Sequence, residues 1–127
     1  MARVTTQIIT AATAGDGVDS LQVTKVSLNG ASRAVSVTAL ITAVPDIRGA
    51  KGYLYMVSSP VDVATSAAVK TLARQAYMKE FSWPLDGGHL VQVQTPPRII
   101  QGAFLYVWFE LPTVDSPGTL DAWAVEV

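Results

Sequence analysis

The stretch VQVQTPPRIIQGAFLYVWFEL, Val91–Leu111, decides the fold of this chain because it joins two kinds of strand across a pair of prolines. Over His89–Thr95, polar and apolar residues alternate, which predicts a half-exposed strand. Proline cannot donate to a strand ladder, so the diproline predicts a crossing over Thr95–Gly102. The strand that follows, Ala103–Leu111, is apolar on both faces.

The two faces of this second strand need different partners, because successive side chains of a strand point in opposite directions. The face that we assign to the core consists of Ala103, Leu105, Val107, Phe109 and Leu111. The opposite face consists of Phe104, Tyr106 and Trp108. Within one chain, only a helical segment or a bent terminal segment could cover it. Otherwise a second subunit or another protein covers it, and that possibility favours an assembly protein.

Further strand-like segments recur along the chain, with turn residues between them. They are Val4–Thr10, Leu21–Leu28, Arg33–Val44, Lys51–Ser58 and Thr119–Val127. We expect the Thr-rich Val4–Thr10 at a sheet edge. A change of phase predicts a bulge near Thr24-Lys25, and Asn29-Gly30 predicts a two-residue hairpin.

One segment breaks the strand pattern. Ser59 could cap a helix, and apolar residues then recur at steps of three and four, so we predict a helix or helical turns over Pro60–Arg74. If the helix ends early, we predict a strand over Tyr77–Trp83 after it. A single helix cannot supply the crossovers of a parallel sheet. The pattern therefore predicts an all-β antiparallel β-sandwich, best matched by an eight-stranded jelly roll with one short helical insertion mid-chain. An immunoglobulin-like sandwich is the alternative.

The composition limits the partners that we expect. The 127 residues suit one β-sandwich domain, 1–127, in which residues 1–10 form an N-terminal strand or arm. The 9 Lys and Arg are spread singly, whereas nucleic-acid binders need a dense basic stripe. No apolar run has the length of a signal peptide core or a membrane span. We therefore expect neither a nucleic-acid nor a membrane partner. Only 15% of the residues are charged, which predicts a Thr/Ser/Gln-rich surface or one that a partner partly covers.

No arrangement of residues indicates catalysis, and we expect a protein that is not an enzyme and holds no cofactor. His89 is the only histidine, and no nucleophile elbow accompanies it for a triad with Asp86 or Asp115. One histidine and no cysteine argue against a transition-metal site. The carboxylates lie scattered, mostly in loops, rather than paired for glycosidic cleavage.

The aromatic residues allow a carbohydrate platform as an alternative. The tryptophans Trp83, Trp108 and Trp123, with the tyrosines, could stack on sugars. Tyr53 with Tyr55, and Tyr106 with Trp108, lie two apart on single strands, a spacing that also fits cross-strand core packing. Trp83, beside Pro84 in a loop, is the best candidate for an exposed anchor.

The whole-chain pattern resembles the small jelly-roll decoration (cement) proteins of tailed bacteriophage heads. The features that carry the resemblance are the Thr-rich arm VTTQIIT, the short strands, and the absence of cysteine, of a signal peptide and of a catalytic set. The resemblance implies a virion protein that is made in the host cytoplasm and forms a homodimer or homotrimer on the outer capsid surface. It implies that the protein bridges neighbouring subunits of the major capsid protein and stabilises the shell. The alternative function is a carbohydrate-binding module or receptor-binding tip with exposed aromatics.

Nine residues are candidates for a protein interface. They come from the N-terminal arm, from the loop PDIRGAK with its apolar tip, and from the aromatic positions: Arg3, Val4, Thr5, Thr6, Ile47, Arg48, Trp83, Tyr106 and Trp108. An uncovered arm could add a strand to the sheet edge of a neighbour.

Overall fold

The computed structural model describes residues 4–14, 20–25, 33–42, 44–45, 49–61, 71–83, 90–100, 104–111, 114–116 and 118–126. Eleven strands and one 3-10 turn (Ala73–Gln75) lie within these residues, and the paired strands run antiparallel. The strands are β1 (Val4–Ala14), β2 (Ser20–Lys25), β3 (Arg33–Thr42), β4 (Val44–Pro45), β5 (Lys51–Ser59), β6 (Tyr77–Ser82), β7 (Leu90–Gln94), β8 (Arg98–Ile100), β9 (Phe104–Glu110), β10 (Val114–Ser116) and β11 (Gly118–Glu126).

Eight longer strands form the two sheets of the sandwich, and the short β8 pairs with β3 as a fifth strand of one of them. The β1 sheet has the order β1-β11-β3-β7, and the β2 sheet has the order β2-β9-β5-β6. Counted along the chain, the first of these strands pairs with the eighth, the second with the seventh, the third with the sixth and the fourth with the fifth. This nested pairing is a hairpin folded twice into a sandwich, which is the jelly roll. The predicted fold is confirmed, and the immunoglobulin-like order is excluded.

The diproline crossing keeps the chain attached to β3. Gln94 pairs with Thr38 and Arg98 pairs with Val35, so the connection places one extra residue opposite β3, as in a β-bulge. Thr95 bridges the gap, because its N–H donates to the Val37 carbonyl at 3.0 Å and its hydroxyl accepts from the Val37 N–H at 2.9 Å. The chain then resumes as β8, which also pairs with β3. Where we predicted a crossing, the chain therefore stays at the same sheet edge and forms a bulge.

The main core lies between the two sheets and follows the alternation of the sequence. Val35, Val37, Ala39 and Ile41 of β3 are buried, and so are Leu105, Val107 and Phe109 of β9. The other buried members are Ile9, Leu54, Met56, Phe81, Trp83, Val91, Val93, Ile100, Leu120, Ala122 and Ala124. The core face predicted for the Leu105–Phe109 strand is therefore confirmed.

Some predictions fall outside the described residues. The Asn29-Gly30 hairpin lies there, as does most of the helix predicted over Pro60–Arg74. The part of that segment that is described contains bends at 60–61, a turn at 71–72 and the 3-10 turn. The strand predicted to follow is present as β6. The β2 strand pairs with β9 in unbroken register through Thr24 and Lys25, so the bulge predicted near these two residues is absent from the described strand.

Candidate interaction surfaces

The outer face of β9 is covered within the chain. Tyr106 and Trp108 are 0% and 2% exposed, and with Val57 they form a second buried cluster. Its partly buried members are Tyr55, Leu72, Ala76 and Phe104. We call these residues the outer cluster. Its cover includes Leu72 and Ala76, on either side of the 3-10 turn, so the chain itself closes the face that the sequence left open.

Ring stacking holds the centre of the outer cluster together. Tyr55 and Trp108 are cross-strand partners of β5 and β9, and their rings stack with centroids 5.0 Å apart and an interplanar angle of 9°. The Tyr55 hydroxyl donates to the Glu110 carboxylate at 3.3 Å. Tyr106 and Trp108 therefore serve packing, and the prediction that they are available to a partner protein is wrong for the folded chain.

Trp83 is also buried, and the prediction of an exposed anchor at this position is wrong. It is 3% exposed, its ring lies 5.5 Å from that of Phe81, and its backbone N–H donates to the Ala50 carbonyl. Trp83 follows β6 directly, and its ring packs into the main core. The adjacent proline in the sequence indicated a loop, but a loop residue next to a strand end can still face inward.

The β1 edge is the candidate surface that remains from the arm. β1 is the last strand of its sheet and pairs on one side with β11. Thr5, Thr6 and Gln7 are exposed, and pairing is regular from Val4 to Gln7 before two register shifts. The predicted edge position of this strand is confirmed. The other candidate residues Arg3, Ile47 and Arg48 lie outside the described residues, and for Val4 only the backbone is described.

Trp123, named above only among the residues that could stack on sugars, lies on the outer face of the β1 sheet. In β11, Leu120, Ala122 and Ala124 point into the core, so Trp123 points outward, and it is partly exposed. The alternation in TLDAWAV was the signal that could have found it.

Register places Trp123 in a row that crosses the sheet. Gln7 pairs with Trp123, Trp123 with Thr38, and Thr38 with Gln94. We call these four residues the Trp123 row. At about 4.8 Å between strands, the row is roughly 14 Å long. The Gln7 amide also donates to the Asp121 carboxylate at 3.3 Å.

A pocket of about 210 Å³ opens between the two sheets. It is lined by β5, by the 3-10 turn, by the start of β6 and by β8: Met56, Val57, Ser58, Gln75, Tyr77, Arg98, Ile99 and Ile100. The Arg98 guanidinium carbon lies 4.3 Å from the centroid of the Tyr77 ring. The pocket is lined by one cation, Arg98, and by the polar residues Ser58 and Gln75 among others.

Away from this pocket, the described surface carries an ion pair that is exposed to solvent. Lys51 and Glu80 form an exposed ion pair at 3.1 Å. The hydrogen bond and the charge of Glu80 raise the pKa of Lys51 above its usual value. Such exposed pairs contribute little to folding, so this pair does not mark a site.

The described residues contain no group of His, Cys, Asp and Glu that could hold a metal ion. His89 and Asp86, two of the residues considered for a triad, lie outside them. Within the described part of the chain, no helix is long and apolar enough to cross a membrane.

No protein-family model matches this chain, and no curated protein matches it. Among solved structures, it is similar to a chain from Bacillus endospore appendages, described as disulfide-linked pili, with 10% identity and a TM-score of 0.41 over 98% of this chain and 86% of that one. It is also similar to a chain from the full particle of Israeli acute paralysis virus heated to 63 degrees, with 12% identity and a TM-score of 0.39 over 98% of this chain and 68% of that one. Likenesses this weak assign no function, and the strand order alone assigns the jelly roll.

Proposed function

We propose that this chain is a structural, non-enzymatic protein that attaches to other protein surfaces through the edge of β1. The observation that carries the proposal is the edge itself. β1 has 11 residues, VTTQIITAATA, without a charge or a proline. Natural edge strands are usually short or carry Lys, Pro or inward-pointing charges, because a free edge pairs with other chains. The register shifts after Gln7 protect part of β1, which leaves Val4–Gln7 as the regular, pairing-competent segment.

The partner that we propose is the major capsid protein of a tailed bacteriophage, with the domain on the outer surface of the shell as a homodimer or homotrimer. The resemblance of the sequence to decoration proteins supports this partner. The low charge of the edge supports it as well, because charged residues are depleted from the cores of protein interfaces. Many copies on one shell would multiply weak contacts through avidity.

A charge on the β1 edge tests the proposal. Thr6 pairs with Ala124, whose side chain faces the core, so a lysine at Thr6 would be an inward-pointing charge on an exposed edge position. A charge trapped in a paired edge costs several kcal/mol, so we expect Thr6→Lys to weaken association at least about tenfold. Gln92→Lys, which adds the same charge on exposed β7 at the opposite edge of the sheet, should leave association unchanged.

The measurements are co-sedimentation with undecorated phage shells and the melting temperature of those shells. Analytical ultracentrifugation of the free protein gives its oligomeric state. The proposal predicts that wild-type protein and Gln92→Lys bind and stabilise the shells, whereas Thr6→Lys does not. A strictly monomeric protein that adds to no shell refutes it, and equal effects of the two lysines refute the role of the β1 edge.

The Trp123 row favours carbohydrate binding as a second candidate function. An indole can stack on the apolar face of a pyranose, and the amides of Gln7 and Gln94 can bond to sugar hydroxyls on either side. We expect Trp123→Ala to abolish glycan-array binding and Trp123→Tyr to retain part of it. Both variants should keep the wild-type melting temperature within a few degrees, because Trp123 points away from the core. Absence of any glycan binding by wild-type protein refutes this candidate.

A further inference from the structure

The regular segment of β1, Val4–Gln7, lacks the features that block pairing at other sheet edges. The strands at the edges of the two sheets are β1, β7, β2 and β6. In β6, Lys79 pairs with the buried Leu54 and lies two positions from the buried Phe81, so its charge points inward. An inward-pointing lysine is one means by which natural sheets keep an edge from pairing. β7 ends in the diproline bulge, and β2 ends in Lys25.

An uncharged edge strand is compatible with a second copy of itself. When two identical strands pair across a two-fold axis, the same short segment lies on both sides of the contact, so a charge within it would lie near a like charge. β1 has no charged residue, and Thr5, Thr6 and Gln7 are exposed at its edge. The chemistry of this edge is therefore self-complementary.

The alternation of side chains limits where the two-fold axis can lie. In an antiparallel pair, residues that are directly opposite point to the same face of the sheet. Successive residues point to opposite faces, so an odd-numbered residue can lie opposite only an odd-numbered residue of the copy, and an even-numbered one opposite an even-numbered one. The axis therefore passes through a residue. Within Val4–Gln7, the axes that keep the longest stretch paired lie at Thr5 and at Thr6. Either axis places a threonine beside its own copy, and cross-strand threonine pairs are favourable.

We propose that the β1 edge of the free protein pairs antiparallel with the β1 edge of a second copy, across a two-fold axis at Thr5 or Thr6. The pairing joins the two β1 sheets into one continuous sheet, and each copy covers the backbone groups at the edge of the other. This inference rests on the proposed function, because it names the occupant of the same edge before the chain meets a shell. A capsid subunit that binds this edge then exchanges with the second copy.

Single cysteine variants test the position of the axis. The chain contains no cysteine, so one introduced cysteine can form a disulfide only between copies. A disulfide needs Cα atoms within about 7 Å of each other, and directly opposite residues have Cα atoms about 4.5–5.5 Å apart. Only a cysteine on the axis meets this limit, because a cysteine next to the axis lies opposite a residue two positions away from its own copy. We therefore expect a linked dimer from one of Thr5→Cys and Thr6→Cys and not from the other. Gln92→Cys, at an exposed position of β7, is the matched control and should stay unlinked.

Analytical ultracentrifugation measures the same pairing without a covalent link. The paired segment is short, so we expect a weak wild-type dimer with a Kd on the order of 100 µM. Thr6→Lys should raise this Kd at least about tenfold, because a charge in the paired edge loses its water. Gln92→Lys should sediment as wild type does. The melting temperature of each variant in dilute solution checks that it is folded.

Linking at both threonine positions, at neither of them, or equally in Gln92→Cys would overturn the inference, and so would a dimer that Thr6→Lys leaves unchanged. Binding to phage shells distinguishes these results from failure of the proposed function. A monomeric wild-type protein that binds shells, beside a Thr6→Lys protein that does not, would keep the attachment through β1 and overturn the pairing of two copies. Dimers that link at one threonine position but bind no shell would support the pairing and overturn the capsid partner.

Discussion

Truncation of Trp108 to alanine tests whether the outer cluster is a second core of the folded chain or a surface that awaits a partner. Trp108 is 2% exposed and stacks on Tyr55 with ring centroids 5.0 Å apart. A buried tryptophan removes roughly 150–250 Å² from water, which at about 25 cal/mol per Å² corresponds to about 4–6 kcal/mol. Alanine keeps part of this area, and the cover at Leu72 and Ala76 can settle into the gap. We therefore expect a loss of about 3–5 kcal/mol in the free energy of unfolding.

The assay is urea unfolding of Trp108→Ala followed by far-UV circular dichroism, together with a thermal melt. For a domain of this size, the expected loss lowers the melting temperature by roughly 10–25 °C. The matched control is Trp123→Ala, which removes the same side chain from the outer face of the β1 sheet and should cost less than about 1 kcal/mol. If Trp108→Ala unfolds within about 1 kcal/mol of wild type and instead loses association, Trp108 lies at an interface and the intramolecular cover is refuted.

Three further predictions concern the two sheets. Thr95→Val should lower the free energy of unfolding, measured in urea, by about 1–3 kcal/mol, because it leaves the Val37 N–H buried without its acceptor at 2.9 Å. Thr95→Ser keeps the hydroxyl oxygen and should lower it less. Equal losses in the two variants would assign the effect to packing. Gly118→Ala should lower the melting temperature strongly, since a Cβ there would overlap the Thr42 backbone carbonyl, and an unchanged melt would contradict this close approach. Lys51→Gln should remove a small stabilisation that is present below pH 10.5 and lost as the pH rises through the raised pKa of Lys51. The unfolding free energies of variant and wild type should therefore differ at neutral pH and converge in strong alkali. A difference that does not change with pH would contradict the Lys51–Glu80 pairing.

Strand alternation and turn chemistry predicted the jelly roll because both act over a few neighbouring residues. Val35, Val37, Ala39 and Ile41 of β3 alternate in the sequence and are buried in the structure. The bulge at Thr95 was harder to predict. The two prolines indicated an end to pairing. Two hydrogen bonds instead keep this segment on β3: the Val37 N–H donates to the Thr95 hydroxyl, 58 positions away, and the Ser36 hydroxyl donates to the Thr95 carbonyl, 59 positions away.

The candidate surface was predictable only in part, because exposure depends on contacts that are distant in sequence. The edge position of β1 followed from its Thr-rich alternation. Trp83 was misjudged because Pro84 indicated a loop, whereas Trp83 continues the alternation of β6: Phe81 and Trp83 are buried and Ser82 between them is exposed. Trp123 was recognisable from the alternation of β11, but its row with Gln7, Thr38 and Gln94 depends on the register of four strands.

The closure of the outer cluster changes the physical reason for expecting an assembly protein. An uncovered Tyr106–Trp108 face would have required a partner in order to keep large aromatic rings out of water. The folded chain meets that need with Tyr55, Leu72 and Ala76, so the aromatic content of β9 no longer argues for association. The association proposed through β1 depends instead on backbone groups at its edge, whose pairing is sensitive to a single charge and insensitive to loss of Trp108 as long as the domain stays folded. A folded Trp108→Phe protein that still joins a shell, beside a folded Thr6→Lys protein that does not, would separate these two origins of assembly.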